Sequence, residues 1–226
     1  MRRFLAPLIH IAGLAPLLVL WYYWFFANLV NPIQTLTQFS GKTGLVLLSF
    51  CLACTPLNTL LGWKWAIGLR KPLGLYAFFY AALHLLIFVV LDYGLDLALI
   101  QEAVLEKRYV LAGFAAFLLL TPLALTSTRA AMRRLGRNWK RLHWLIYPAG
   151  MLAVLHYLWL SKDPRQALIF GAILATLLIL RLPPLRRSIV RLRSRLSPNG
   201  STRLIRAQPA ATLTHFGPLA LAEPCA

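Results

Sequence analysis

Six long apolar runs, separated by short loops that gather most of the lysine and arginine, leave this chain few ways to fold. They run from Leu8 to Ala27, Thr43 to Leu61, Leu73 to Leu91, Tyr109 to Leu125, His143 to Leu160 and Ala167 to Leu185. Each meets or nearly meets the ~20 residues that a helix needs to cross a bilayer core. The last is the weakest, since Arg181 interrupts it and Pro183-Pro184 ends it, although an arginine one turn from a helix end can snorkel to the headgroups. With 59% hydrophobic and only 13% charged residues, the chain is too apolar for a soluble domain of 226 residues. The predicted fold is an all-α integral membrane protein of six transmembrane helices. Residues 1–190 form the membrane domain, and residues 191–226 a basic, flexible cytoplasmic tail.

The net charge of +18 raises nucleic acid as a partner, but a nucleic-acid binder collects its cations on one folded polar face. Here they punctuate apolar runs, the pattern of a topology signal with contacts to anionic headgroups, and no nucleic-acid partner is expected. Nineteen of the 24 Lys and Arg fall on one set of alternate loops. They are Arg2 and Arg3, the Lys64–Arg70–Lys71 loop, the loop with Arg129, Arg133, Arg134, Arg137, Lys140 and Arg141, and the C-terminal segment from Arg181. Only Lys42, Lys107, Arg108, Lys162 and Arg165 fall on the other side, together with Asp92, Asp96, Glu102, Glu106 and Asp163. Both termini are therefore expected in the cytoplasm, and the acidic outer loops offer a surface to a soluble partner. The first run is too long, and too poor in a small-residue cleavage site, to read as a removed signal peptide.

Cys51 and Cys54 form a C-x-x-C, yet they lie inside an apolar run without a βαβ context, and two small packing residues are the simpler reading. Trp21, Tyr22, Tyr23 and Trp24 close the first run as a headgroup-level anchor. The second and fourth runs both end on Thr-Pro-Leu, at Thr55 and Thr121, each followed by a basic loop and a histidine-bearing run. This hints at a duplicated two-helix unit, weakened by unequal spacing: 29 residues from Thr55 to His84 and 35 from Thr121 to His156. At each proline the neighbouring Thr is placed to re-satisfy the freed carbonyl. The segment RRSIVRLRSRL reads as a basic amphipathic helix for anionic lipid, and His215 and Cys225 in the tail are bland.

Histidine carries the chemistry. His143 opens the fifth run and His156 lies near its far end, about 20 Å apart along a helix axis and some 140° apart around it. His84 sits midway along the third run. Titratable groups at such depth are costly and usually functional. An imidazole with one nitrogen free for iron is the obvious use, since a haem asks of the protein little more than axial ligands and an apolar slot. His84 lies roughly 13 to 14 Å from the cytoplasmic edge, closer in depth to His156 than to His143. Two ligands of one iron must share a level, so His84 and His156 are the expected pair. His143 remains a candidate ligand of a second, inner haem, with His10 the only spare histidine near that depth. A flavin or quinone contact, or a structural hydrogen bond, are its other readings.

The stretches HIAGLAPL around His10, FSGKTGL and TPL in the second run, PLGLYAFFYAALHL around His84, KRYVLAG, and above all LTSTRAAMRRLGRNWKRLHWLIYPAGMLAVLHYLW resemble the MsrQ (YedZ) family over roughly Leu8 to Arg193. These are membrane subunits of bacterial periplasmic methionine-sulfoxide reductase systems, related to ferric-reductase and NADPH-oxidase transmembrane domains. The resemblance implies a bacterial inner-membrane protein that binds haem b and FMN. It implies electron transfer from the quinone pool or a cytosolic flavin reductase to a periplasmic molybdopterin reductase of the MsrP type, in repair of oxidised periplasmic proteins. The family's haem histidines fall on His84, His143 and His156. The second histidine that wider oxidase families carry on the third helix is replaced at this depth by Arg70 and Lys71. For FMN the chain shows no phosphate-cradling glycine loop, and Arg133, Arg134 and Arg137 are the speculative phosphate site. In this reading the chain conducts electrons and performs no bond chemistry. The alternatives are a ferric or quinone reductase acting without that partner, and a cofactor-free transporter or scaffold, for which no polar midplane path beyond the histidines is visible.

Overall fold

The computed structural model describes residues 2–27, 29–161 and 163–196, so the tail from residue 197, with His215 and Cys225, lies outside the described residues. Ten α-helices follow one another, and no strand occurs among the described residues. They are α1 (Arg2–Phe25), α2 (Pro32–Leu61), α3 (Lys64–Ile87), α4 (Leu97–Glu106), α5 (Arg108–Leu125), α6 (Arg129–Leu135), α7 (Arg137–Leu142), α8 (Ile146–Leu160), α9 (Pro164–Ile179) and α10 (Pro183–Leu196). A π-turn at Phe88–Asp92 finishes α3, and a 3-10 turn at His143–Leu145 leads into α8.

Four helices, among the described residues, are long and apolar enough to cross a membrane: α1, α2, α3 with its π-turn, and α5. The count rises to five if α9 and α10, bent by 73° at Leu180–Leu182, are one span. The fifth apolar run differs from expectation at its start. His143 stands in the 3-10 turn, and the α-helix proper is the 15-residue α8, about 22 Å long. The second run differs the other way, for α2 begins eleven residues earlier at Pro32 and reaches 30 residues. Asn31 explains that start, its side chain accepting from Gln34 N with Pro32 in the first turn. The connection before Lys107 holds a helix of its own, α4, capped by Asp96 through bonds from Ala98 N and Leu99 N.

The bundle is assembled from two helix pairs, α2 with α3 and α5 with α8, which are its most extensive contacts. α3 meets α5, and α9 closes the remaining side against α2 and α8. Small residues let these helices approach. A Cβ added at Gly44 would stand 3.4 Å from both Ala77 O and Ala81 N, and one at Gly150 would stand 2.9 Å from Leu174 Cδ2. Leu48, Leu52, Ala77 and Leu174 make one buried cluster, and Leu20, Leu36, Tyr80 and Ile87 make another under α1. Tyr80 is fully buried, and its hydroxyl donates to Gly13 O at 2.8 Å. Leu8, Ile11, Leu14 and Leu18 of α1 stay exposed on the outer surface, as an apolar stripe facing lipid does.

Arg181 departs from the snorkelling expected of it. Its guanidinium turns inward, with Nε and Nη2 donating to Leu52 O at 3.2 and 2.9 Å and Nη2 also to Cys51 O at 3.2 Å. The reason is Pro56, which has no N–H to offer the carbonyl four residues before it, Leu52. Thr55 does not fill that gap; its hydroxyl accepts from Arg70 Nη1 at 3.3 Å. In α5 the Thr121 hydroxyl donates to Phe117 O at 2.9 Å, not to Leu118 O, the carbonyl that Pro122 frees, so at neither proline does the neighbouring Thr fill the gap.

Candidate functional site

The polar centre of the bundle is made by two histidines from two helix pairs. His84, one turn from the end of α3, and His156, one turn from the end of α8, present rings whose centroids lie 6.0 Å apart with planes at 81°. Each imidazole is tied to the other helix of its pair. His84 Nδ1 lies 2.8 Å from Thr37 O on α2, and His156 Nδ1 lies 2.6 Å from Tyr109 O on α5. A carbonyl oxygen only accepts, so in both rings Nδ1 carries the hydrogen and Nε2 is left with a free lone pair. This is the tautomer a metal-binding histidine needs, with the outer-shell bond that orients the ring already made.

The two halves repeat one another at this level. Both histidines are 47 residues from their carbonyl partners, and both pack on a glycine 43 residues earlier, Gly41 for His84 and Gly113 for His156. The repeat hinted at by the two Thr-Pro-Leu stretches is thus in register at the histidines. The six-residue discrepancy arises between the site and the Thr-Pro-Leu ends, where α2 is longer than α5.

The geometry passes a simple test for a metal between the rings. Nitrogen-to-metal bonds of about 2 Å on either side, with each ring centre about 1 Å behind its nitrogen, put the centroids about 6 Å apart. The observed 6.0 Å is the spacing that His84 and His156 would have if their Nε2 atoms held one metal ion between them. Phe78 on α3 and Phe117 on α5 stack at 5.5 Å and 12°. Phe78 is six residues before His84, so this pair lies roughly 9 Å along the axis from the histidines, toward the basic end of the bundle. No group of three or more His, Cys, Asp or Glu able to hold a metal forms among the described residues.

His143 is not brought to this pair. It lies at the basic end, its ring against the Trp139 indole at 3.9 Å between centroids, its Nδ1 3.1 Å from Trp139 O. Trp139 is held in turn by its indole N–H donating to Thr126 O at 3.0 Å. His143 thus shares the tautomer of the other two and keeps Nε2 free. His10 makes its contact with Tyr76, Nδ1 to Oη at 2.8 Å. The Arg133, Arg134 and Arg137 group falls on α6 and α7, two short helices where a loop was expected. Cys51 Sγ donates to Arg70 O and Cys54 Sγ to Phe50 O, both at 3.2 Å, and neither is in a disulfide. Sequence reasoning missed the roles of Thr37, Gly41, Tyr109 and Gly113. The signal was present as the recurring spacing, read from the wrong landmark.

Residues 40–154 match the family model described as ferric reductase like transmembrane component. A relative from Xanthomonas axonopodis pv. citri is 47% identical over 179 residues, covering 76% of this chain and 82% of its own, and bears the name protein-methionine-sulfoxide reductase heme-binding subunit MsrQ. A Bordetella pertussis protein of the same name is 43% identical over 178 residues, covering 76% of this chain and 85% of its own. No solved structure matches the chain. A match across half the chain, beginning at the turn where α2 meets His84 and ending two residues before His156, together with relatives of this identity over most of their length, leads to one conclusion: the chain belongs to the ferric reductase like transmembrane family and, within it, to the MsrQ subunits.

Proposed function

We propose that this chain is the membrane electron-transfer subunit of a methionine-sulfoxide reductase system, with haem b held between His84 and His156. The observation that carries the reading is the pair of imidazoles 6.0 Å apart, each with Nδ1 bonded to a main-chain carbonyl and Nε2 free. The names borne by the Xanthomonas and Bordetella relatives supply haem as the ligand and the reductase as the setting. Bound there, haem iron would cycle between its ferric and ferrous forms and move one electron at a time. The chain's part is to hold the axial positions, orient both rings and keep water out with an apolar wall.

In this reading six segments cross the bacterial inner membrane, α8 and its 3-10 turn supplying the fifth and α9 the sixth, with both termini cytoplasmic. Residues 1–190 are the membrane domain and residues 191–226 a cytoplasmic tail. Electrons arrive from the quinone pool or a cytosolic flavin reductase. They leave on the outer side, where Asp92, Asp96, Glu102, Glu106 and Asp163 face a periplasmic molybdopterin reductase of the MsrP type. There, reduction of methionine sulfoxide to methionine consumes two electrons and two protons and releases water. His143, with a free Nε2 at the basic end, is the candidate ligand for a second, inner haem. FMN enters through the family resemblance alone, and α6 and α7 carry the cations that its phosphate would need.

The experiment is an absorption spectrum and a pyridine haemochrome titration of the purified chain. A low-spin haem b spectrum is expected, lost in His84→Ala and in His156→Ala. A colourless protein after expression with ample haem, or a spectrum indifferent to both substitutions, overturns the reading.

A further inference from the structure

Gly41 and Gly113 hold equivalent places, each four residues after the carbonyl that a histidine uses. In an α-helix a side chain leans toward the N-terminus and lies over the preceding turn. A side chain at 41 or 113 therefore sits over the carbonyl of 37 or 109, and only a residue without Cβ leaves that oxygen open to a ring from the partner helix. The clearances agree. A Cβ at Gly113 would stand 2.6 Å from His156 Nδ1 and 2.9 Å from Cε1, and one at Gly41 would stand 3.0 and 3.1 Å from the same atoms of His84.

Resting on the bis-histidine reading above, we propose that Gly41 and Gly113 are positioning residues that hold the two axial imidazole planes nearly perpendicular and so set the electronic structure of the iron between them. An Nδ1–H bond to a fixed helical carbonyl stops each ring from rotating about its metal–nitrogen bond. The two bonds come from different helix pairs, and the resulting angle between planes is 81°. An imidazole raises the iron dπ orbital perpendicular to its own plane. Parallel rings both raise the same orbital and split the pair, whereas perpendicular rings raise one each and leave them nearly degenerate. A low-spin ferric iron in the second arrangement gives an electron paramagnetic resonance signal dominated by a single feature at unusually low field. Parallel rings give a rhombic pattern of three resolved features.

The test uses the full chain in lipid nanodiscs, loaded with haem and carrying His143→Ala to remove any signal from an inner iron. Gly113→Ala, Gly41→Ala and a control, Gly68→Ala, whose added methyl meets nothing within 4 Å, are compared with it at known haem content. The low-field signal is expected in the parent and the control. Gly113→Ala should convert it to a rhombic or high-spin signal, with a smaller change of the same kind in Gly41→Ala, where the ring needs to give by only a few tenths of an ångström. A Gly113→Ala chain that keeps its helical content but loses haem supports the proposal as well, and if that variant does not accumulate, Gly41→Ala decides by the same signal. A rhombic signal in the parent, or an unchanged signal in both variants, overturns it. Failure of the parent to bind haem, or binding that survives His84→Ala and His156→Ala, overturns the ligand assignment itself.

Discussion

At the scale of single residues, no buried side-chain nitrogen or oxygen among the described residues lacks a hydrogen-bond partner, and the pairing is specific enough to test. Arg181 exists in its inward position because Pro56 leaves Leu52 O without a donor. Removing the guanidinium by Arg181→Met leaves that carbonyl unsatisfied, at a cost of about 1–3 kcal/mol. The same substitution in a Pro56→Ala background should cost measurably less, because residue 56 then donates its own N–H. Thermal unfolding of the four proteins in detergent reads this coupling, and simple additivity would contradict it. Tyr80→Phe removes the bond to Gly13 O from a fully buried site and should cost about 1 kcal/mol by the same measurement. Of these residues, sequence reasoning singled out Pro56 and Arg181. It did not find the partner of Leu52 O, because that partner is 129 residues away and no local pattern encodes a contact of that range.

At the scale of elements, close helix packing is the controlling quantity. α2 and α3 approach through Gly44, whose neighbours on α3 are the main-chain atoms Ala77 O and Ala81 N, and a backbone cannot step aside as a side chain can. Gly44→Val should force the pair apart, with a loss of about 1–3 kcal/mol and weaker retention of haem on dilution. Retention equal to the parent would show that α2 and α3 have slack. α4 is held at both ends, by the Asp96 cap and by Lys107 Nζ donating to Tyr93 Oη at 3.0 Å, a bond that holds the lysine above its ordinary value. A raised value means that the stabilisation is complete below the ordinary 10.5 and is lost as pH rises through the folded value. Amide exchange in α4 should therefore be unaffected by this bond's titration across neutral pH, and Tyr93→Phe should speed it locally. The apolar runs were legible as helices because lipid permits little else. The early start of α2 was not, since Ile33 to Lys42 is too polar to count toward a span. Only Asn31 and Pro32, a cap and a first-turn proline, announced it.

At the scale of the whole molecule, the charge asymmetry makes a topological prediction. In a chain without its native cysteines, a cysteine at Leu95, beside the acidic end, should react with an impermeant thiol reagent from the periplasm. One at Arg137 should react only after the inner membrane is opened. The reverse pattern would invert the direction of electron flow. The sequence by itself determined that the chain is helical, that it carries apolar runs suited to a membrane and that His84 lies closer in depth to His156 than to His143, because hydrophobic length and helical rise are local quantities. The tertiary structure alone decided that the two rings stand 6.0 Å apart with planes at 81°, that glycines on the partner helices α2 and α5 uncover the carbonyls orienting them, and that Arg181 turns inward. Those outcomes depend on which helices become neighbours and how closely they pack, and side-chain spacing along one helix carries no information about the helix beside it.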